Sequence, residues 1–191
     1  MAEYANYVSF LFELGMLQRV QREGWKLLGI SNTESVAEHS LRAAQIGYIL
    51  AICENYESPE RICSMLVFHD IGECRIGDIH KVANRYIETE ELQVVKEQTQ
   101  PLGTIGEKIF SLWDAIEQQN TIEGKIAKDA DLLEMIVTAC ELRQMNITGV
   151  ENWLDNTKKR LHTTSAKAFF SEIIHGDPIA WWKGLKKLSF P

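Results

Sequence analysis

The sequence predicts an all-α bundle, and three observations carry that prediction. Only four prolines occur in 191 residues, at positions 59, 101, 178 and 191. The segments between them repeat their apolar residues at helical spacing and show little strand-like alternation. Several of these segments open on helix-capping signals. Hydrophobic residues make up 45% and charged residues 25% of the chain, an ordinary globular balance. With no linker, repeat or low-complexity tract, residues 1–191 read as a single domain of six to eight helices around one core.

The elements follow in order. A first helix covers about 3–17, with Val8, Leu11 and Phe12 as its apolar side. A loop from Gln18 to Thr33 follows. Ser35 and Glu38 form a capping box at the start of a second helix that runs to about Asn55. Ser58-Pro59-Glu60 opens a third, with cap, proline at the first helical position and an acid in the first turn, and Gly72 closes it. A polar helix over about 84–98 ends at Pro101. Thr104 and Glu107 repeat the capping-box pattern for a helix to about Asn120, and a long helix spans about 123–146. Two more are expected over 163–175 and 178–188, separated by Gly176-Asp177-Pro178.

Charge narrows the function classes. The net charge is −7, and no block of Lys and Arg offers the basic stripe that a nucleic-acid polymer requires. A small phosphorylated molecule needs only two or three local cations. A triphosphate substrate would call for more basic residues than the sequence concentrates near any motif. Phe10-Leu11-Phe12 is broken at once by Glu13, so neither a signal peptide nor a membrane span is expected. Cys53, Cys63, Cys74 and Cys140 form no C-x-x-C pair and read as small buried hydrophobes, which suits a cytoplasmic protein.

Three helices carry the chemistry. On the second, Val36, His39, Ala43, Ile46, Leu50 and Cys53 make one stripe in which His39 is the only strongly polar member. Taken alone, that fits a buried histidine bonded to a backbone carbonyl. The third helix, however, ends by turning His69 and Asp70 toward the core behind Ile62, Met65 and Leu66. On the long helix Asp131 shares a face with Ala127, Met135, Thr138 and Leu142, and by rotation Asp129 is the exposed acid. Buried carboxylates need a cation. Two imidazoles and two carboxylates form a mixed N/O set suited to a divalent transition ion, with room for water and substrate oxygens.

The order His39 … His69-Asp70 … Asp131 resembles the H…HD…D signature of the HD-domain metal-dependent phosphohydrolases. The words REGWKLLGISNTESVAEHS (22–40), LVFHDIGECRIGDIHK (66–81) and KDADLLEM (128–135) are similar to the 5′-deoxynucleotidase branch of that family. The resemblance implies that His39, His69, Asp70 and Asp131 hold one divalent metal, with Mn, Co, Fe, Ni and Zn all open. It implies that Glu73 handles protons around the attacking water and that Asp78 orients water or a sugar hydroxyl. The Arg22–Trp25 segment resembles the branch's substrate loop, where an arginine grips phosphate and Trp25 packs on the sugar. Because the spacing differs from some relatives, Arg19 rivals Arg22, and Lys81 is the next cation. A homodimer is a further implication.

The reading is a phosphomonoesterase that removes the 5′ phosphate of a deoxynucleoside monophosphate. Another small-molecule phosphatase or a nucleotide pyrophosphohydrolase is the alternative among enzymes. A helical interaction module that keeps a metal for stability is the rival outside them. His80, His162, His175, Trp181-Trp182 and the acidic run Glu88–Glu91 read as turn, surface or packing residues.

Overall fold

The computed structural model describes residues 2–185, and within them the chain is helical with no strand beyond one isolated bridge between Gln21 and Ser35. The α-helices are α1 (Ala2–Leu14), α2 (Val36–Cys53), α3 (Pro59–Phe68), α4 (Glu73–Ile76), α5 (Glu91–Thr99), α6 (Thr104–Gln118), α7 (Ile122–Gln144), α8 (Glu151–Lys158) and α9 (Thr164–His175). Short 3₁₀ turns fill the connections, including Gly15–Gln18 and Glu23–Leu28.

Helix α2 packs against α3 and α7, and α7 also packs against α6 and α9. Leu50, Ile62, Met65, Leu66, Ile126, Leu133 and Ile136 form the fully buried centre of this main core. A smaller cluster joins α1, α5 and α6 through Phe10, Ile71, Val95, Ile109 and Trp113. The Ser35–Glu38 capping box is present in full, and Pro59 occupies the first turn of α3. No helix among the described residues is long and apolar enough to cross a membrane.

Several expectations need correction. On α1 the residues Val8, Leu11 and Phe12 face outward, and Phe10 is the buried anchor. Helix α3 stops at Phe68, so His69 and Asp70 lie in the turn beyond it. Helix α5 begins at Glu91 and not near 84, preceded by a 3₁₀ turn at Ala83–Arg85. Thr104 caps nothing: Gly103, with φ 59, is the N-cap of α6, since glycine tolerates that left-handed turn. Helix α8 was not anticipated. Of the 178–188 helix, a 3₁₀ turn at Ala180–Trp182 lies within the described residues, where Trp181 and Trp182 are exposed; residues 186–188 lie outside them. Only Cys140 of the four cysteines is buried, and Cys53 is exposed.

Asp129 is the most informative correction. It is fully buried, and its carboxylate accepts from the His162 and Thr163 backbone N–H groups and from the Thr163 hydroxyl, at 2.7–2.8 Å. It ties α7 to the start of α9. Because α6 and α9 both pack on α7, opposite faces of one helix are buried, and rotation alone does not make either acid external.

Candidate functional site

Three elements bring the sequence-predicted ligands together. His39 projects from the second turn of α2, His69 and Asp70 from the end of α3, and Asp131 from the middle of α7. The His39 and His69 rings lie 5.4 Å apart between centroids. His39 Nε2 is 3.2 Å from Asp131 Oδ1 and 3.8 Å from Asp70 Oδ2; His69 Nε2 is 3.1 Å from Asp70 Oδ2 and 3.8 Å from Asp131 Oδ1. One ligand atom from each of His39, His69 and Asp70 lies within 4.8 Å of the other two.

Those atoms are also left without hydrogen-bond partners. His39 Nε2, His69 Nε2 and Asp70 Oδ2 are buried and unpaired, a costly arrangement for polar atoms unless something else satisfies them. The opposite ring nitrogens explain the orientation. His69 Nδ1 lies 2.7 Å from the Leu66 carbonyl, which can only accept, so Nδ1 carries the hydrogen and Nε2 offers its lone pair. His39 Nδ1 is held in the same way by the Glu134 carboxylate. Two unpaired nitrogens and one unpaired carboxylate oxygen, with Asp131 beside them, suit a divalent transition ion, so the donor set fits the metal that the motif implies.

The electrostatics favour positive charge at this point. Burial and the Arg22 guanidinium oppose protonation of His39, but the neighbouring Asp131 and Glu134 carboxylates prevail and raise it to about 10, so a bound cation would take the place of a proton at Nε2. Burial likewise works against the Asp131 carboxylate, yet Lys128, His39 and His69 hold it well below its ordinary range. Glu73 behaves in the opposite sense: burial first, then the charges of Asp70 and Asp78, push its carboxyl up to about 10. Its Oε2 is buried and unpaired.

The centre opens on a cleft of about 260 Å³ whose lining includes Arg22, Trp25, Glu73, Asp78, Lys128 and Asp131. Arg22 and Trp25 reach it because the loop is pinned onto the start of α2: Arg22 N–H donates to the Glu34 carbonyl and Val36 N–H to the Val20 carbonyl, both at 2.9 Å. Arg22 Nη1 stands 3.6 Å from Asp70 Oδ2 and 3.7 Å from Asp78 Oδ1. Asp78 also accepts from the Glu23 backbone N–H, so it anchors the loop from below. Trp25 is almost fully buried, stacked on Trp153 at 5.6 Å with its Nε1–H donating to Glu34. Arg19 is exposed and directed at Met16 Sδ, outside the cleft lining. Lys81 and His80 line the cleft, and His80 Nδ1 accepts from the Ala83 N–H. His175 bonds its own helix at the Ser171 carbonyl. Glu91 is packed against Gly72 at the start of α5.

Sequence reasoning missed five residues here. Glu134 is fully buried behind His39, and Arg42 Nε donates to it at 2.8 Å. Glu134 lies three residues after Asp131 and Arg42 three after His39, so helical spacing could have found both. Lys128 Nζ lies 2.7 Å from Asp131 Oδ2, again at a spacing of three. Trp153 and Arg160 come from α8 and the turn after it, and no local signal points to them.

Comparisons with known proteins show what the chain is similar to. An HD-domain family model matches residues 14–174. A Dictyostelium discoideum protein named 5′-deoxynucleotidase HDDC2 is 31% identical over 173 residues, covering 83% of this chain and 91% of its own length. The Homo sapiens protein of that name is 30% identical over 88% of this chain and 84% of its own. A structural-genomics crystal structure, APC5600, superposes with a TM-score of 0.78 at 29% identity, covering 93% of this chain and 99% of that one. With the family model spanning most of its length and relatives of about 30% identity matching over most of both chains, this chain belongs to the HD-domain family.

Proposed function

We propose that this chain is a metal-dependent phosphohydrolase that removes the 5′ phosphate of deoxynucleoside monophosphates. One observation carries the reading: three unpaired buried ligand atoms on His39, His69 and Asp70 lie together, and Asp70 and Asp131 carry that centre to the wall of a cleft that also presents Glu73 and Arg22. The names of relatives that match over most of the chain supply the substrate class. His39, His69, Asp70 and Asp131 would hold one divalent ion. When bound, such an ion supplies Lewis acidity toward a phosphoryl oxygen and lowers the pKa of water.

The protein's own residues do the rest. Arg22 clamps two phosphoryl oxygens with its planar fork, exchanging its ion pairs with Asp70 and Asp78 for the substrate. Asp78 keeps that loop in place and offers a carboxylate to water or a sugar hydroxyl. With a cation at the centre offsetting the Asp70 and Asp78 charges that hold Glu73 protonated, Glu73 would ionise, take the proton of the attacking water as the new P–O bond forms, and return it to the 5′ oxygen as the old bond breaks. Trp25 and Trp153 wall the sugar side. Lys81 adds positive charge at the mouth of the cleft. An unpaired, cleft-facing Glu73 argues against a purely structural metal, which needs no proton carrier. The reading takes residues 1–191 as one domain working in the cytoplasm as a homodimer, for which the exposed apolar row Leu41, Tyr48, Ile49 and Ile52 on α2 is available.

The test is phosphate release from a panel of 5′- and 3′-, ribo- and deoxyribonucleotides with Mn²⁺ or Co²⁺. The expected substrates are the 5′-deoxynucleotides. Rejecting a hydroxyl by apolar contact is worth only about 10²-fold, so ribonucleotides should be slow and not inert. Equal rates on both sugars defeat the deoxynucleotidase reading. Pyrophosphate release from triphosphates in place of monophosphate turnover favours the pyrophosphohydrolase alternative.

A further inference from the structure

The cleft is lined by three basic residues besides Arg22. Lys81 lies three residues beyond Asp78, Lys128 lies three residues before Asp131 on α7, and Arg160 follows α8; all three line the cleft. They arrive from three separate stretches of chain, so no single segment of the sequence shows them together. Lys128 is compensated, at 2.7 Å from Asp131 and within the influence of Glu117 and Asp70. Lys81 and Arg160 have no carboxylate partner among the described residues. Burial, then the charges of Arg160 and Lys128, lower the pKa of Lys81, and no acid acts on it in return. An adjoining depression of about 260 Å³ shares Lys128, Leu132 and Arg160 and adds Lys159 and His162, so the positive edge continues outward. In a chain of net charge −7, this is local like-charge repulsion that a bound anion relieves.

We propose that Lys81 and Arg160 form a second anion subsite, which takes a second phosphate group of a nucleotide whose first phosphate lies at the His39–His69–Asp70–Asp131 centre. Phosphate is the fitting group because it offers several strong acceptor oxygens to a set of convergent donors. The second phosphate can belong to a 5′ diphosphate chain or to the 3′ oxygen of the sugar. The inference rests on the nucleotidase reading and extends it to nucleotides with two phosphates.

The experiment compares dissociation constants for dAMP, dADP and deoxyadenosine 3′,5′-bisphosphate. Glu73→Gln protein with saturating Mn²⁺ suppresses turnover, and the cleft tryptophans Trp25 and Trp153 report binding. At least one of the two bisphosphorylated ligands should bind about tenfold more tightly than dAMP. Adding Lys81→Ala and Arg160→Ala, both at exposed positions, should bring that ratio to within about twofold. A gain confined to dADP assigns the subsite to the 5′ chain, and a gain confined to the 3′,5′-bisphosphate assigns it to the sugar's 3′ side. Equal affinities for all three ligands, or a gain that survives the double substitution, overturn the subsite. Phosphate release from dAMP by the unmutated protein is measured in parallel. Turnover with equal affinities removes the subsite alone, whereas no turnover removes the nucleotidase reading and this inference with it.

Discussion

Replacing Glu134 by glutamine changes one atom's chemistry and leaves the shape intact, yet it should weaken the metal centre. Glu134 is fully buried. Its Oε2 faces His39 Nδ1, and its Oε1 accepts from Arg42 Nε at 2.8 Å and Thr138 Oγ1 at 3.1 Å. A carboxylate satisfies both sides because it only accepts. An amide has one acceptor oxygen. If that oxygen stays with Arg42, the NH₂ meets the His39 Nδ1–H, and the ring escapes the clash only by moving its hydrogen to Nε2, which then cannot ligate. If the amide turns round, its NH₂ meets the Arg42 guanidinium. Either way one charge-assisted hydrogen bond is lost, about 1.5–3 kcal/mol. Loss of such an orienting partner usually weakens metal affinity by about 10–100-fold. Chelator competition with Mn²⁺ or Co²⁺ should show that loss, and ¹⁵N NMR of the metal-free protein should show His39 changing tautomer. Metal affinity within about twofold of the unmutated protein, with a normal fold, would remove Glu134 as a positioning residue.

Three further outcomes are expected. Arg22→Ala should cut turnover on the order of 10²-fold, the scale of losing a charge-stabilising donor, while Arg19→Ala on the exposed surface stays within about twofold; the reverse ranking would reassign the phosphate clamp. Burial, with Glu117 and Asp70, raises the Glu91 carboxyl from 4.5 to about 7. A folded-state pKa above the unfolded one penalises the fold as pH rises, fully above about 7 and not at all below about 4.5. Glu91→Gln should therefore raise Tm of the metal-free protein at pH 8 and leave it unchanged at pH 4.5; a shift of the same size at both values refutes the assignment. Gly106→Ala places a Cβ 1.8 Å from the Thr99 carbonyl oxygen, where α6 crosses the end of α5. Overpacking of this kind costs about 1–3 kcal/mol or more, and each kcal/mol lowers Tm by about 2–4 °C in a chain this size; an unchanged melt would show that the crossing is not tight.

The parts of the fold that could be read from sequence are those written in local chemistry. Ser35 and Glu38 cap α2 as their types demand, and the expected long helix forms as α7 over Ile122–Gln144. Helix α8 escaped because ENWLDNTK is short and mostly polar; only Leu154 and Thr157 are buried. The capping box at Thr104 failed because Gly103 took the N-cap, a competition that the pattern of Thr and Glu does not encode. Asp129 was misplaced by treating α7 as a surface helix with one wet side.

The same distinction divides the site. His39, His69, Asp70 and Asp131 are legible because each interrupts an apolar face, and a buried polar group that breaks a periodic pattern demands a reason. Lys128, Trp153 and Arg160 break no pattern: each sits among polar neighbours, and only the packing of α7 and α8 beside the Asp78 turn brings them to the cleft. A candidate ligand set is therefore conspicuous in a helical sequence, whereas charges gathered at a cleft wall are not. The sparse basic residues near the motifs argued for a single phosphate, and it is the assembled cleft, with Lys81 and Arg160 uncompensated, that reopens the question of how many phosphates the substrate carries.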